Sequence, residues 1–369
     1  MPRVGLVPAL MALTVTALAQ GPLIEWSFEA GVGEWASLDP AASVSVTTDG
    51  NAAREDGDAC LEFAYTPEAA LTVAVTPVAA ATAGAQSLRF HLRTSEYAWA
   101  SAALAEQDGS AYLATFSSLP GAWQEVALGL NEFRLLADTG DENRKLDPEQ
   151  IAAVGFGDAI YLLDAIAKLW PFILAPDLGP RLLWVDEVRL DPEPVPPRWE
   201  VVQVAGGRAV RLESFEGAPL QWLTLSGKGI EVTYDREHRA DGEFSLRLAY
   251  NLPPDKVFGV LTDPADAPLA NAKQLRMSMI SEKPITLLLE MKESDESKYQ
   301  ASAQVAGTGE FEEATVPLSA FSLADDSSDE NGRLDMGDLK QFLIADLSAA
   351  LGAPTGANTL WLDNLLFTE

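Results

Sequence analysis

Leu183-Trp184-Val185-Asp186, midway along the chain, recurs near its end as Leu360-Trp361-Leu362-Asp363. Other segments recur in the same order. The clearest are Ser27-Phe28-Glu29 with Ser214-Phe215-Glu216, Trp35 with Trp222, and Asp141-Glu142-Asn143 with Asp329-Glu330-Asn331. Matches at so many positions, always in one order, indicate that a single structural unit is present twice.

A proline-rich segment separates the two units. Residues 191–197, Asp-Pro-Glu-Pro-Val-Pro-Pro, have the composition of a stiff, extended spacer. We therefore predict a first domain over residues 20–191, a linker over 192–198 and a second domain over 199–369. The offset between matched positions falls late in the unit, which places an apolar loop insertion in the first domain at about residues 159–182.

Short segments of alternating hydrophobicity predict β-strands within each unit. Residues 43–48, 60–65, 71–75, 88–93 and 123–128 alternate in this way, and Asp108-Gly109 is typical of a hairpin turn. Strands of this length and spacing are typical of antiparallel sandwiches and jelly rolls. The predicted fold class is all-β, with two tandem antiparallel β-sandwich domains.

The N-terminus has the features of a secretory signal peptide. Arg3 precedes an apolar run over residues 4–18, and small residues lead up to Ala19. We expect cleavage near Ala19, so that residues 1–19 are removed and the mature protein is secreted, either extracellular or periplasmic. The run is too short to predict a membrane span.

Charge limits the classes of partner. The chain has 25 Lys and Arg residues against 55 Asp and Glu residues, a formal net charge of −30. Such a field repels nucleic acid and anionic membranes and suits calcium or neutral glycans. The one cysteine, Cys60, alternates with Leu61 and Phe63, which predicts a small core residue.

The repeated segments carry a family resemblance. A first strand ending in Phe-Glu, a Trp shortly after it, an Asp-Glu-Asn-x-x-Leu-Asp segment and a closing Leu-Trp-x-Asp strand resemble the galactose-binding-like jelly rolls. These include carbohydrate-binding modules and the complex I intermediate-associated domain. The resemblance covers nearly all of residues 24–190 and 210–369. It implies a duplicated, non-catalytic carbohydrate-binding protein whose partner is a polysaccharide or glycan.

The resemblance also implies structural calcium. In many such modules the glutamate that ends the first strand and the aspartate of the last strand hold the ion, and a third carboxylate can join them. Carried over by position, the candidate ligands are Glu29, Asp56, Asp186, Glu216, Asp241 and Asp363. Calcium takes six to eight hard oxygen ligands, so carboxylates from terminal strands are suitable. The alternative is that each carboxylate caps a turn or pairs with a nearby arginine.

Two further acidic segments approach a calcium-loop pattern. Residues 327–338 keep glycine at Gly332, whereas residues 139–150 have Arg144 at the corresponding place. We favour a simpler interpretation, in which each segment is a polar turn leading into a short capped helix.

Aromatic residues give the candidate ligand site, because sugars bind through aromatic faces. Tyr97 and Trp99 have no aromatic counterpart in the second unit, and Tyr112 and Tyr299 follow the hairpins. We predict that these residues form a stacking platform, with packing at the rim of the sandwich as the alternative. The remaining matched tryptophans are predicted to be core residues: Trp35, Trp184, Trp222 and Trp361.

Three questions stay open from the sequence. The apolar insertion at residues 159–182 either packs over the sandwich end or between the domains, or exposes an apolar patch that marks a partner or ligand site. A glycosidase would need only a carboxylate pair, which so acidic a chain could supply. The last alternative is a cell-envelope or structural module that binds another protein. A histidine-dependent hydrolase is disfavoured, because the chain has 2 histidines and no hydrolase motif.

Overall fold

The computed structural model describes residues 21–48, 59–68, 72–136, 139–216, 220–225, 230–264, 266–353 and 356–369. The predicted signal peptide and the calcium candidate Asp56 lie outside these residues. None of the described helices combines the length and apolar character that crossing a membrane requires.

Alternating side chains form strands throughout the first unit. They are β1 (Ile24–Trp26), β2 (Ala36–Ser37), β3 (Ser43–Thr47), β4 (Cys60–Tyr65), β5 (Thr72–Pro77), β6 (Ser87–Thr94), β7 (Ala98–Glu106), β8 (Ala111–Ser118), β9 (Gln124–Gly129), β10 (Arg134–Leu135), β11 (Ile151–Asp158) and β12 (Arg181–Asp191). Helix α1 (Ile160–Leu169) lies between β11 and β12. Short 3-10 helices occupy Leu130–Glu132 and Pro148–Gln150.

The second unit repeats this pattern. Its strands are β13 (Glu200–Val204), β14 (Gly207–Glu213), β15 (Leu223–Thr224), β16 (Ile230–Asp235), β17 (Ser245–Leu252), β18 (Phe258–Thr262), β19 (Gln274–Ser281), β20 (Ile285–Glu293), β21 (Lys298–Val305), β22 (Glu312–Pro317), β23 (Ser322–Leu323), β24 (Leu339–Asp346) and β25 (Gly356–Thr368). Here the 3-10 helices are Leu318–Ala320 and Met336–Asp338.

Each unit contains two sheets. In the first unit, sheet I has the order β3-β4-β12-β6-β9 with β1 also on β12, and sheet II has the order β10-β8-β7-β11-β5-β2. In the second unit, sheet III contains β13-β14-β25-β17-β16 with β19 between β25 and β22, and sheet IV is β15-β18-β24-β20-β21-β23. The pairings between these strands are antiparallel, which confirms the predicted all-β class of two antiparallel sandwiches.

The last strand of each unit pairs with a strand near the unit's start, β12 with β1 in the first unit and β25 with β14 in the second. Ile24 is opposite Leu190 in the first unit, and Val210 is opposite Phe367 in the second. The inward faces of each pair of sheets then enclose a separate apolar core. Cys60 is fully buried on β4, and burial raises the pKa of its thiol to about 12.

Helix α1 lies at the junction between the units. Its buried residues Ile160, Leu163 and Ala167 follow helical spacing. They form a third apolar cluster with Ile173, which follows the helix, and with Val257, which lies in the β17–β18 connection of the second unit. A β-bridge joins β8 of the first unit to Leu220 of the second. One face of the apolar insertion therefore packs between the units, while Leu169, Trp170 and Phe172 stay exposed, so that both arrangements left open by the sequence are present in part.

Candidate functional site

Tyr97 and Trp99 lie at the junction between the units. Trp99 is 5% exposed, and its indole Nε1 donates to the carbonyl of Thr224, 3.2 Å away. The Tyr97 hydroxyl is 2.6 Å from Ser117 Oγ and accepts from the Thr224 amide at 3.0 Å. The structure thus brings the two predicted aromatics together, but against the second unit. Stacking on a sugar would need an exposed ring face that Trp99 does not have.

Tyr112 and Tyr299 occupy equivalent buried positions. They are 1% and 3% exposed, and their hydroxyls donate to Asp141 and Asp329 respectively. Burial raises the pKa of both phenols, and the hydrogen bond to the carboxylate raises it further. Both rings belong to the cores of their units, so the four predicted ligand-binding aromatics do not form one exposed platform.

Two matched acidic clusters surround these tyrosines. Their carboxylates lie close enough together, within 4.8 Å, to hold a metal ion; the clusters are Glu106, Asp108 and Asp141 in the first unit, and Glu293, Asp295 and Asp329 in the second. Internal bonds already satisfy part of each cluster. Ser110 donates to Glu106 at 2.7 Å, and the equivalent Ser297 donates to Glu293 at 2.6 Å. Oxygen-only ligands of this kind suit a hard cation.

Two of the predicted calcium carboxylates of the second unit, Glu216 and Asp363, accept hydrogen bonds from backbone amides of one segment, residues 240–244. Glu216 Oε1 accepts from the amides of Glu243 and Phe244, both at 3.0 Å, and Asp363 Oδ2 accepts from the Ala240 amide at 2.6 Å. Asp363 is fully buried, and within the described part of the chain its Oδ1 has no hydrogen-bond partner. Burial raises the pKa of Asp363, and the nearby charge of Glu216 adds to the effect.

The other calcium candidates differ in their contacts. Asp241 pairs with Arg211 at 2.7 Å, the arginine pairing that the sequence left as an alternative. In the first unit, Glu29 Oε1 accepts from the Ala59 amide at 3.1 Å, and Asp186 is 2% exposed on β12. Phe28 and Phe215 both have positive φ, 62° and 59°, so the chain turns in the same way before Glu29 and Glu216.

The insertion also carries exposed aromatic side chains. Trp170 and Phe172 are 51% and 45% exposed, and no other Trp, Tyr or Phe among the described residues is as exposed. Their ring centroids are 6.3 Å apart and their planes differ by 10°. The main chain beneath them is fixed, because the Val257 amide donates to the Phe172 carbonyl at 3.0 Å. The sequence places both rings in the apolar run that could expose a partner or ligand patch, but they were not among the predicted ligand-binding aromatics.

Trp184 and Trp361 lie on the outer faces of sheets I and III, outside the two core clusters. Trp361 is buried, at 6% exposure, whereas Trp184 is partly exposed, so the prediction of Trp184 as a core residue was wrong. Their chain neighbours Leu183 and Leu360 point into the cores, and side chains alternate along a strand. Trp184 donates to Glu62 at 2.9 Å and lies under the Arg93 guanidinium, 5.2 Å from the ring centroid. Trp35 and Trp222 are core residues as predicted.

Comparisons with known proteins give structural neighbours only. No family model and no curated protein matches the sequence. A family 11 carbohydrate-binding module of a cellulosomal cellulase of Clostridium thermocellum shows 17% identity and a TM-score of 0.35, covering 44% of this chain and 95% of that one. The CBM22-1–CBM22-2 tandem domain of Paenibacillus barcinonensis Xyn10C shows 12% identity and a TM-score of 0.28, covering 95% and 98%. These neighbours are carbohydrate-binding modules, the class that the sequence resembles.

Proposed function

We propose that the chain is a secreted, non-catalytic protein that binds polysaccharide through Trp170 and Phe172. The observation that carries the proposal is the exposure of this near-parallel ring pair on a surface whose other aromatics are more buried. Sugar rings have apolar C–H faces that cover aromatic rings, while their hydroxyls need polar neighbours. Lys168, whose side chain is 70% exposed two residues before Trp170, supplies a polar group of this kind.

The pair is also held in place before any ligand arrives. At the end of helix α1 the Trp170 backbone amide donates a hydrogen bond to the Ile166 carbonyl at 2.8 Å. Ile173, on the other side of the pair, is 3% exposed in the junction cluster. Lys256 donates to the carbonyl of Pro171, between the two rings. A fixed platform loses little conformational freedom on binding, which favours affinity for a flexible polysaccharide chain.

Replacing both rings, as Trp170→Ala with Phe172→Ala, should abolish retention on the polysaccharide that binds the parent protein. At about 1.5 kcal/mol for each covered ring, affinity should fall on the order of a hundredfold. Depletion binding to a panel of insoluble polysaccharides, with titration against soluble fragments, measures this. Leu351→Ala is the matched control. Leu351 is an apolar residue of the other unit that is 65% exposed, so its removal should leave polysaccharide affinity unchanged.

Other outcomes would replace this proposal. Release of reducing sugar from the panel would identify a carboxylate-dependent glycosidase. If no polysaccharide is retained, and Leu162→Ala and Leu169→Ala weaken binding to a protein partner as much as the ring variants do, then the insertion is a protein-docking surface.

We also propose a structural calcium ion in the second unit, at Glu216 and Asp363. The unpartnered buried Oδ1 of Asp363 supports this, because a buried carboxylate oxygen without a donor is unfavourable and a cation would satisfy it. By position, Glu29 and Asp186 would hold a second ion in the first unit. The ion would neutralise the repulsion between the carboxylates that terminal strands bring together.

Calcium should raise the melting temperature of the protein, and Asp363→Asn should remove most of this gain. At a calcium concentration a hundredfold above Kd, binding stabilises by about 2.7 kcal/mol. Because the pKa of Asp363 is raised, this group contributes stability to the calcium-free protein below its unfolded-state pKa, and the contribution is lost as pH rises through the folded-state pKa. The difference between calcium and chelator should therefore be larger at pH 7 than at pH 4.

Two variants locate the ion. Asp241→Asn should keep the calcium response, because Asp241 is paired with Arg211. A response that survives in the Asp363→Asn protein and disappears with Asp329→Asn would place the calcium in the acidic cluster beside Tyr299 instead.

A further inference from the structure

A pocket opens where the linker meets both units. It has a volume of about 260 Å³, and its walls come from the segment after β9, the linker, β14 and the ends of β15 and β18. The residues that the argument uses are Glu132, Arg198, Trp199, Glu213, Gln221 and Asp263. Pockets between domains are common sites for small ligands.

A charge-assisted network fixes the pocket wall. Arg198 of the linker donates to Glu132 Oε2 of the first unit from Nη2 at 2.9 Å and from Nε at 3.2 Å. Gln221 of the second unit donates to the same oxygen at 2.5 Å. Because three separate segments meet at one carboxylate, the side chains around the pocket are positioned without a ligand.

The lining favours an uncharged, hydroxyl-bearing ligand. Glu213, Asp263 and Asp266 line the pocket together with Arg198, which is paired with Glu132, while Asp263 is paired with Arg134 at 3.4 Å, so the described residues of the lining offer no unpaired cation for an anionic ligand. Burial raises the pKa of Glu213, so an added negative charge would be unfavourable there. Carboxylate and amide groups can bond hydroxyls, while the Trp199 ring offers an apolar face.

We propose that this junction pocket binds a single neutral sugar ring, as a site separate from the Trp170 and Phe172 pair. That the ligand is a sugar rests on the proposed function, whereas the location of its binding site rests on the pocket itself. A partly open pocket of this volume accommodates one ring and the end of a chain, whereas an exposed ring pair accommodates the middle of a chain. The protein would then hold a polysaccharide at two points.

The test uses the full chain with D-glucose, D-galactose and D-xylose as neutral probes, D-glucuronate as an anionic probe and D-glucosamine as a cationic one. Saturation-transfer NMR detects binding and titration calorimetry measures it. We expect millimolar binding of at least one neutral sugar, and weaker binding of glucuronate. Gln221→Leu and Asp263→Ala should each lower the affinity about tenfold, the loss of one hydrogen bond to the bound sugar.

The controls separate this pocket from the ring pair. Gln304→Leu, a change on an exposed strand face, should leave the affinity unchanged. The Trp170 and Phe172 double variant should keep full monosaccharide binding even if it loses polysaccharide. The pocket proposal is overturned if no neutral sugar binds, if glucuronate or glucosamine binds better than each neutral sugar, or if both pocket variants bind like the parent. Monosaccharide binding without polysaccharide retention would overturn the ring-pair proposal alone.

Discussion

Replacing Trp99 by alanine is expected to lower the free energy of unfolding by about 3–5 kcal/mol, the usual loss for a buried tryptophan. The ring is 5% exposed and packs with Ile160, Leu163 and Val257. Its indole also donates to the Thr224 carbonyl, so the variant loses an inter-unit hydrogen bond. Because these contacts join the units, the change should also weaken their mutual stabilisation.

Denaturant unfolding would measure the loss of free energy, and calorimetry would measure the change in the melting transitions. In the variant, the unit that unfolds first should melt at a lower temperature, and the separation between the two transitions should increase. Trp170→Ala is the matched control, because Trp170 is 51% exposed and its removal should change stability by less than about 0.5 kcal/mol. Equal stability of the two variants would contradict the assignment of Trp99 to the junction.

Much of the fold could be predicted because duplication supplies an internal comparison. The matched Phe28/Phe215 and Trp184/Trp361 positions indicated that terminal strands would be equivalent, and β1 pairs with β12 as β14 pairs with β25. Alternation gave most of the strand positions. Burial within each sandwich depends on this local pattern, so a single sequence contains the necessary information.

The aromatic site could not be predicted in the same way. Whether Trp99 is exposed depends on how the second unit docks on the first, and no local pattern encodes that contact. The lack of a counterpart in the second unit marked Tyr97 and Trp99 correctly as features of one unit, but the reason is the junction. Helix α1 was missed as well, because the sequence suggested only an apolar loop.

The outward position of Trp184 and the two three-carboxylate clusters could have been predicted from patterns in the sequence. Trp184 alternates with Leu183 and Val185, so a strand that buries the two aliphatic residues must turn the tryptophan outward. Glu106 and Glu293 occupy matched positions two residues before Asp108 and Asp295, and this repetition would have extended the acidic loops into three-carboxylate clusters.

A buried carboxylate occurs at the same place in both units, with different partners. Tyr65 donates to Asp158 at 3.0 Å, and Tyr250 donates to Asp346 at 2.7 Å. In the first unit, Arg181 Nη1 lies 3.3 Å from Asp158 Oδ2. The second unit has Asn358 at the position that matches Arg181, and Asn358 donates to Tyr250 instead. The first unit alone therefore stabilises the carboxylate with a buried cation.

Arg181→Leu is expected to destabilise the first unit by about 3–5 kcal/mol at pH 7, because Asp158 would remain as a buried, unpaired charge. Burial already raises the pKa of Asp158 and Arg181 opposes this, so the pKa should rise further in the variant. Protonation removes the unpaired charge. Relative to the parent, the loss of stability should therefore be largest at neutral pH and decrease as pH falls through that raised pKa.

Two comparisons make the result specific to the buried pair. Arg208→Leu removes an exposed pair with Glu369, at 44% and 31% exposure, and should change stability by about 0–1 kcal/mol. The double variant Arg181→Leu with Asp158→Asn should recover part of the loss, because an amide oxygen can still accept from Tyr65 without carrying charge. Denaturant unfolding between pH 4 and pH 8 measures all four proteins. A loss that is independent of pH, or a double variant no more stable than Arg181→Leu alone, would show that Arg181 acts by packing rather than by its charge.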